Sequence, residues 1–296
     1  MSDEQVQEPR PGPEAESWLK QNTRLAAPNR QSLALAIPPL LERINTDRHT
    51  TIGLSGAPGS GKSTLARVIV HCLHKAGIPA CLLSLDDYYL AREKRETLAN
   101  DVHPLFRQRG VPGTHELNRL LADLDQIQRG ELSSLRLPVF DKSIDDRVAD
   151  REWPFPARAP RVIIIEGWCI GAPPQTLSGT DYPASAMEHL HDADGRWRRR
   201  VQDAWQHMYS ELRGRLDQVW YIRVPEWDSL IDWRWQQEQE LPHRNLDSRT
   251  GVRDFLGCFE GIVRYMQDSY PQWADLVLET DCNHHIKLSE QSENSK

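Results

Sequence analysis

Three short stretches of this 296-residue chain carry residue types and spacings suited to handling a phosphoryl group. In the first, GAPGSGKST (Gly56, Ala57, Pro58, Gly59, Ser60, Gly61, Lys62, Ser63, Thr64), glycines let a loop turn tightly with its amide N–H groups aimed at phosphate oxygens. The loop opens an amphipathic run, so a helix N-terminus adds its favourable dipole at the same point. In such a loop, which ATPases, GTPases and kinases share, Lys62 reaches the β- and γ-phosphates of a bound nucleoside triphosphate and the Ser63 hydroxyl ligates Mg2+. The magnesium needs a second acidic group, and Glu166, closing RVIIIEG, is the natural candidate. The third stretch is SLDDYYL, residues 84 to 90, with adjacent carboxylates at Asp86 and Asp87. Neighbouring side chains at a strand end point in different directions, so one carboxylate serves; Asp86 is favoured as the base that takes a proton from an attacking hydroxyl. The competing reading is a turn whose acids cap the next helix.

These residues must be held by strands and helices, and the chain alternates between them. TTIGLS (50 to 55), IPACLLSL (78 to 85), the β-branched run within RVIIIEG, VWYIRV (219 to 224) and ADLVLET (274 to 280) read as five strands. Continuous apolar runs of that kind mark strands covered on both faces, as in parallel sheets. Helical patterns lie between them: from Gly61 to Gly77, near 91 to 99, over 115 to 129, over 195 to 216, over 228 to 240 and over 251 to 269. The expectation is an α/β fold of the P-loop NTPase type, a mostly parallel five-stranded sheet with helices on both faces. Ligands in such sheets sit outside the carboxyl ends of the strands, where Asp86, Glu166 and the glycine loop all fall. The domain plan read from the chain is an acidic disordered tail over 1–16 and a helical segment over 17–49, broken at Pro38-Pro39 and packed on the body. A single P-loop domain over 50–285 precedes a polar tail over 286–296.

GAPGSGKST, SLDDYYL and IIIEGW together resemble the phosphoribulokinase/uridine kinase/pantothenate kinase group of P-loop kinases. The resemblance implies that Asp86 is the catalytic base and that Glu166 lies beside the magnesium. HPLFRQRGVPGTHEL (103 to 117) and LPVFDKSIDDR (137 to 147) resemble the acceptor-side motifs of the plant-and-fungal-type D-glycerate 3-kinase family, and the resemblance covers roughly residues 50 to 280. It implies an ATP-dependent transfer to a small-molecule acceptor, D-glycerate above all. The chemistry of those stretches suits an anion. Arg109 offers a two-pronged contact to a carboxylate, His115 either bonds a hydroxyl or caps its helix, and Asp141, Lys142 and Arg147 form a dense charged loop. The resemblance makes 50–285 a kinase domain with a lid near 228–250; the family's lid arginine matches Arg234, with Arg244 and Arg249 as further candidates, while the family's Val-Asn-x-x-Leu pattern departs here to Val201-Gln202. The alternatives are a kinase of a nucleoside, pantothenate or a sugar acid, or a regulatory P-loop NTPase.

The bulk properties narrow the setting. A net charge of -7 argues against a protein that coats nucleic acid, and the arginines at 196 and 198–200 read as surface ion pairs at a helix start. The tryptophans at 227, 233 and 235 read as packing. No apolar run approaches the roughly 20 residues needed to span a bilayer. Five widely spaced cysteines without a CxxC pair read as reduced thiols, so neither membrane nor nucleic acid is an expected partner and the expected location is cytoplasmic.

Overall fold

The computed structural model describes residues 12–156, 158–174, 185–240 and 246–289, leaving aside the side chain of Glu240. Its centre is a six-stranded sheet, with β1 (Thr50–Gly56), β2 (Ala80–Ser84), β5 (Val162–Gly167), β6 (Gln218–Arg223), β7 (Leu276–Thr280) and β8 (Ile286–Leu288) in the order β2-β5-β1-β6-β7-β8. The first five are parallel, with Thr50 opposite Val162 and Ser84 opposite Glu166. Every residue of β1 and β5 is buried, as a sheet covered on both faces requires. The sixth strand corrects the five-stranded expectation: Ile286 to Leu288 return antiparallel along β7, through a turn in which Asp281 accepts the amides of Asn283 and His285. Their sequence predicts only the start of a polar tail, because three residues are too few to show a period.

One face of the sheet carries α1 (Pro13–Asn22), α2 (Ala27–Glu42) and α3 (Lys62–Lys75), packed on Ile52, Leu54, Ile164 and Ile222. Against the expected tail over 1–16, α1 already begins at Pro13, where proline's missing N–H costs nothing and Glu14 and Glu16 meet the positive end of the helix dipole. Against the expected break, α2 runs through Pro38 and Pro39. Proline at position 38 cannot donate to the Ala34 carbonyl, and that carbonyl instead accepts the amide of Gly12. The docked first helix thus satisfies a group that the proline releases.

The other face carries α4 (Arg92–Asp101), α5 (Leu117–Arg129), α6 (Ala186–His191), α7 (Arg196–Arg213), α8 (Trp227–Glu240) and α9 (Arg249–Ser269). Trp197, Trp205, Trp227 and Trp233 are buried in this second core. The start of α7 is held by Asp192, whose carboxylate accepts the amides of Trp197 and Arg198. A two-stranded hairpin, β3 (Phe140–Asp141) with β4 (Asp146–Arg147), stands apart from the main sheet. All five cysteines are free thiols, and no helix among the described residues is long and apolar enough to cross a membrane.

Candidate active site

The carboxyl ends of β1, β2 and β5 open into one cavity of about 250 Å3. The glycine loop forms its floor. Gly59 and Gly61 both take left-handed backbone conformations, φ 83° and 90°, that a residue with a Cβ adopts only under strain. Gly61 then caps α3, whose first residues Lys62, Ser63 and Thr64 all line the cavity. Lys62 is buried.

Beneath the loop lies Glu166. Its Oε1 accepts hydrogen bonds from Ser63 Oγ at 3.0 Å and from Ser84 Oγ at 2.6 Å. The parallel register places Ser84 directly beside Glu166, so the contact follows from strand pairing. Sequence reasoning passed over Ser84, although it opens the SLDDYYL stretch.

After β2 the chain makes one tight 3-10 turn, Leu85 to Tyr88, which buries Leu85 and Tyr88 and sends the two aspartates apart. Asp86 faces the cavity. Its carboxylate accepts the Tyr89 hydroxyl at 2.7 Å and Lys142 Nζ at 2.7 Å. Burial alone would raise the Asp86 carboxyl, but the charges of Lys142 and Lys62 and these two hydrogen bonds hold it well below the usual range. Asp87 turns instead to the hairpin and accepts the Phe140 amide at 3.2 Å. Burial pushes its carboxyl up to about 6, against the pull of that amide and with help from the charge of Asp86.

The acceptor-side stretches divide. Arg109 and Lys142 line the cavity; Asp141, Arg147 and His115 do not. Arg147 spends its donors on the Tyr89 carbonyl at 2.8 Å, Glu116 at 2.7 Å and the Tyr88 carbonyl at 3.3 Å, which ties the hairpin to the SLDDYYL turn. Asp141 is taken up by its own turn, accepting the amide and hydroxyl of Ser143. His115 neither caps a helix nor reaches the cavity. Its ring stacks on Tyr89 at 4.6 Å with both nitrogens enclosed and unpartnered, and burial lowers its pKa to about 4 despite the charge of Asp86. The RGVPGTH stretch explains itself by packing. Gly110 has φ 131°, and a Cβ there would stand 2.3 Å from Phe259 Cζ, while its carbonyl accepts Trp168 Nε1 at 2.7 Å.

The last wall comes from α8 and α9. Arg234 lines the cavity, pairs with the fully buried Glu238 one turn on, and lies 5.9 Å over the Phe255 ring. Burial lowers its pKa, as does the nearby charge of Arg109, and Glu238 opposes both. Arg249 is elsewhere, in an exposed pair with Asp232 at 2.7 Å; Arg244 lies outside the described residues. Tyr89, Trp168, Phe255 and Phe259 also line the cavity. The chain signalled Tyr89 by its place in SLDDYYL and Trp168 by following Glu166, but nothing distinguished the two phenylalanines from ordinary core.

No family model matches the chain. It is 31% identical over 188 residues to a uridine kinase of Halobacterium salinarum, covering 61% of this chain and 74% of that protein. It is 27% identical over 240 residues to an uncharacterized kinase of Schizosaccharomyces pombe, 75% of this chain and 79% of that one. With the chloroplastic D-glycerate 3-kinase of Arabidopsis thaliana the identity is 24% over 229 residues, 74% of this chain but 44% of the longer plant protein. Among solved structures, that of the YGR205w protein superposes with a TM-score of 0.60 at 25% identity, covering 86% of this chain and 93% of its own. A D-glycerate 3-kinase of Cryptococcus neoformans shares the fold, with a TM-score of 0.57 at 22% identity over 90% of this chain and all of that one.

Fold, loop and relatives define a P-loop small-molecule kinase. The chain belongs to the phosphoribulokinase/uridine kinase/pantothenate kinase group, with a plant D-glycerate 3-kinase among its relatives, and it is an ATP-dependent kinase.

Proposed function

We propose that the chain transfers the γ-phosphoryl group of ATP to a hydroxyl of a small hydroxy acid, D-glycerate first, giving 3-phosphoglycerate. The observation that carries this reading is one cavity in which the phosphate-loop lysine Lys62, the carboxylate Asp86 and two further cations, Arg109 and Lys142, converge. A neutral nucleoside has no use for the last two, whereas a carboxylate does. The relatives named as D-glycerate 3-kinases support the same acceptor.

In this reading the loop from Gly56 to Thr64 holds the triphosphate. Lys62 and Arg234 offset charge that gathers on the transferring group. Asp86 takes the proton of the acceptor hydroxyl, whose oxygen bonds to phosphorus as the bond to the departing ADP breaks. Arg109 binds the acceptor carboxylate. Lys142 bonds Asp86 in the present structure; turning to the acceptor carboxylate would release the base and raise its affinity for a proton. His115 acts behind Tyr89, and Arg147 and Asp141 hold the hairpin that carries Lys142. The hard oxygens of Ser63 and Glu166, already within hydrogen-bonding distance of each other, suit Mg2+. When bound, the ion would neutralise phosphate charge. The free thiols support a reducing compartment such as the cytoplasm.

The test is ADP release with D-glycerate against glycerol, which keeps the hydroxyls and lacks the carboxylate. D-glycerate should be strongly preferred, and Arg109→Ala should raise its KM while leaving the KM for ATP unchanged. Equal turnover of the two acceptors would remove the carboxylate site.

A further inference from the structure

Arg95, on α4, belongs to none of the motifs that handle phosphate, yet its side chain is only 1% exposed. A cation so deeply buried must have its donors and its charge met. The donors go to three carbonyls: Nε to Leu90 at 3.1 Å, Nη1 to Arg107 at 2.7 Å and Nη2 to Asp145 at 2.6 Å. The charge is met by the Asp145 carboxylate, whose Oδ2 lies 2.9 Å from Nη2. The other oxygen of that carboxylate, Oδ1, is bound by Arg109. Both guanidinium groups also lie against the Phe140 ring, at 5.9 Å and 5.5 Å. Asp145 takes a left-handed conformation, φ 54°, which a residue with a Cβ rarely adopts unless its surroundings impose it. Here Arg95 grips both its carbonyl and its carboxylate.

Charge counting gives this arrangement a purpose. Arg109 paired with Asp145 alone would be neutral and would attract no anion. Two guanidinium groups around one carboxylate leave a net positive charge, and Arg109 lines the cavity while Arg95 does not. We propose that Arg95 and Asp145 are positioning residues for the acceptor. Asp145 fixes the Arg109 guanidinium at the cavity wall, and the buried Arg95 cancels the charge of Asp145, so that Arg109 presents a full positive charge to the acceptor carboxylate. The proposal rests on the anionic-acceptor reading above.

The experiment is steady-state ADP release against D-glycerate concentration for wild type, Arg95→Gln, Arg95→Lys and the double variant Arg95→Gln/Asp145→Asn. Arg95→Gln should raise the D-glycerate KM about tenfold, the worth of one unit charge acting across the site at intermediate dielectric, with kcat and the KM for ATP within about threefold. Adding Asp145→Asn removes the unbalanced charge while its Oδ1 still accepts from Arg109 and holds it in place, and should return the KM to within about threefold of wild type. A merely structural Arg95 gives the opposite result, because Asp145→Asn restores none of the lost carbonyl bonds; a KM that stays high in the double variant overturns the proposal, as does an unchanged KM in Arg95→Gln. Should Arg95→Gln fail to fold, Arg95→Lys and the double variant both keep the net charge and should both keep KM within about threefold, and a tenfold rise in either overturns it. Wild type that releases no ADP with D-glycerate refutes the acceptor and the proposal together, whereas wild-type turnover with the wrong variant pattern refutes the proposal alone.

Discussion

Asp86→Asn separates the chemistry of this site from its architecture. The Asp86 carboxylate accepts the Tyr89 hydroxyl and Lys142, each at 2.7 Å. Asparagine fills the same volume and keeps an oxygen for Tyr89, so the loss is the charge. Lys142 has 58% of its side chain exposed, and losing its partner returns the ammonium to water at about 0–1 kcal/mol. The depressed pKa of Asp86 has a definite sign. A carboxyl held below its unfolded value adds stability above pH of about 4 that is lost as pH falls further, so the variant forfeits some stability at neutral pH. The Lys142 pair is part of that same shift, so the two are one cost of roughly 1–2 kcal/mol, or about 2–3 °C in Tm for a chain of this size. A positioned base is worth about 10²- to 10⁴-fold in rate, or about 2.7–5.5 kcal/mol of barrier. The assay pairs kcat at saturating ATP and D-glycerate with thermal unfolding and with ATP affinity measured by titration calorimetry. The expected result is a kcat lowered at least about a hundredfold, a small Tm shift and ATP affinity within about threefold. A kcat within about threefold of wild type would refute the assignment of the base.

Asp87→Asn should do the reverse. Its carboxyl is raised by burial to about 6, so the fold loses stability as pH rises from the ordinary carboxylate range to about 6 and loses no more above it; asparagine still accepts the Phe140 amide and should stabilise by about 1–2 kcal/mol at pH 7.5. The gain should shrink toward pH 5, and a gain independent of pH would contradict the cause given. Gly110→Ala puts a Cβ 2.3 Å from Phe259 at φ 131°, and should cost about 2–5 kcal/mol with a Tm lowered by several degrees; a wild-type Tm would show that Phe259 moves aside freely. Glu166→Gln should raise the Mg2+ concentration needed for half-maximal rate about tenfold or more, and an unaltered Mg2+ dependence would remove Glu166 from the metal site.

The phosphate half of the site was legible in the chain because its parts are local. A loop, a helix start and the ends of two strands each announce themselves within a few residues, and the parallel sheet then brings Ser63, Asp86 and Glu166 together. The acceptor half was legible only in part. Arg109, Lys142 and Arg234 converge on the cavity, but Arg147 and Asp141, equally charged and only a few residues from Lys142, are consumed by the hairpin they build. Nothing in residue type separates a cation that binds a ligand from one that binds three carbonyls. Arg95 shows the limit most clearly: in a helix whose pattern reads as surface, it is among the most buried side chains in the molecule. The missed sixth strand and the unbroken α2 share a cause, since each depends on a distant partner, β7 in one case and Gly12 in the other.

The most direct measurement of the central claim is kcat/KM for ADP release with D-glycerate, uridine and pantothenate at fixed MgATP. The arrangement of Arg109 and Lys142 beside Asp86 predicts the highest value for D-glycerate, with 3-phosphoglycerate as the product. A higher value for uridine, or ADP release indifferent to all three acceptors, would contradict it.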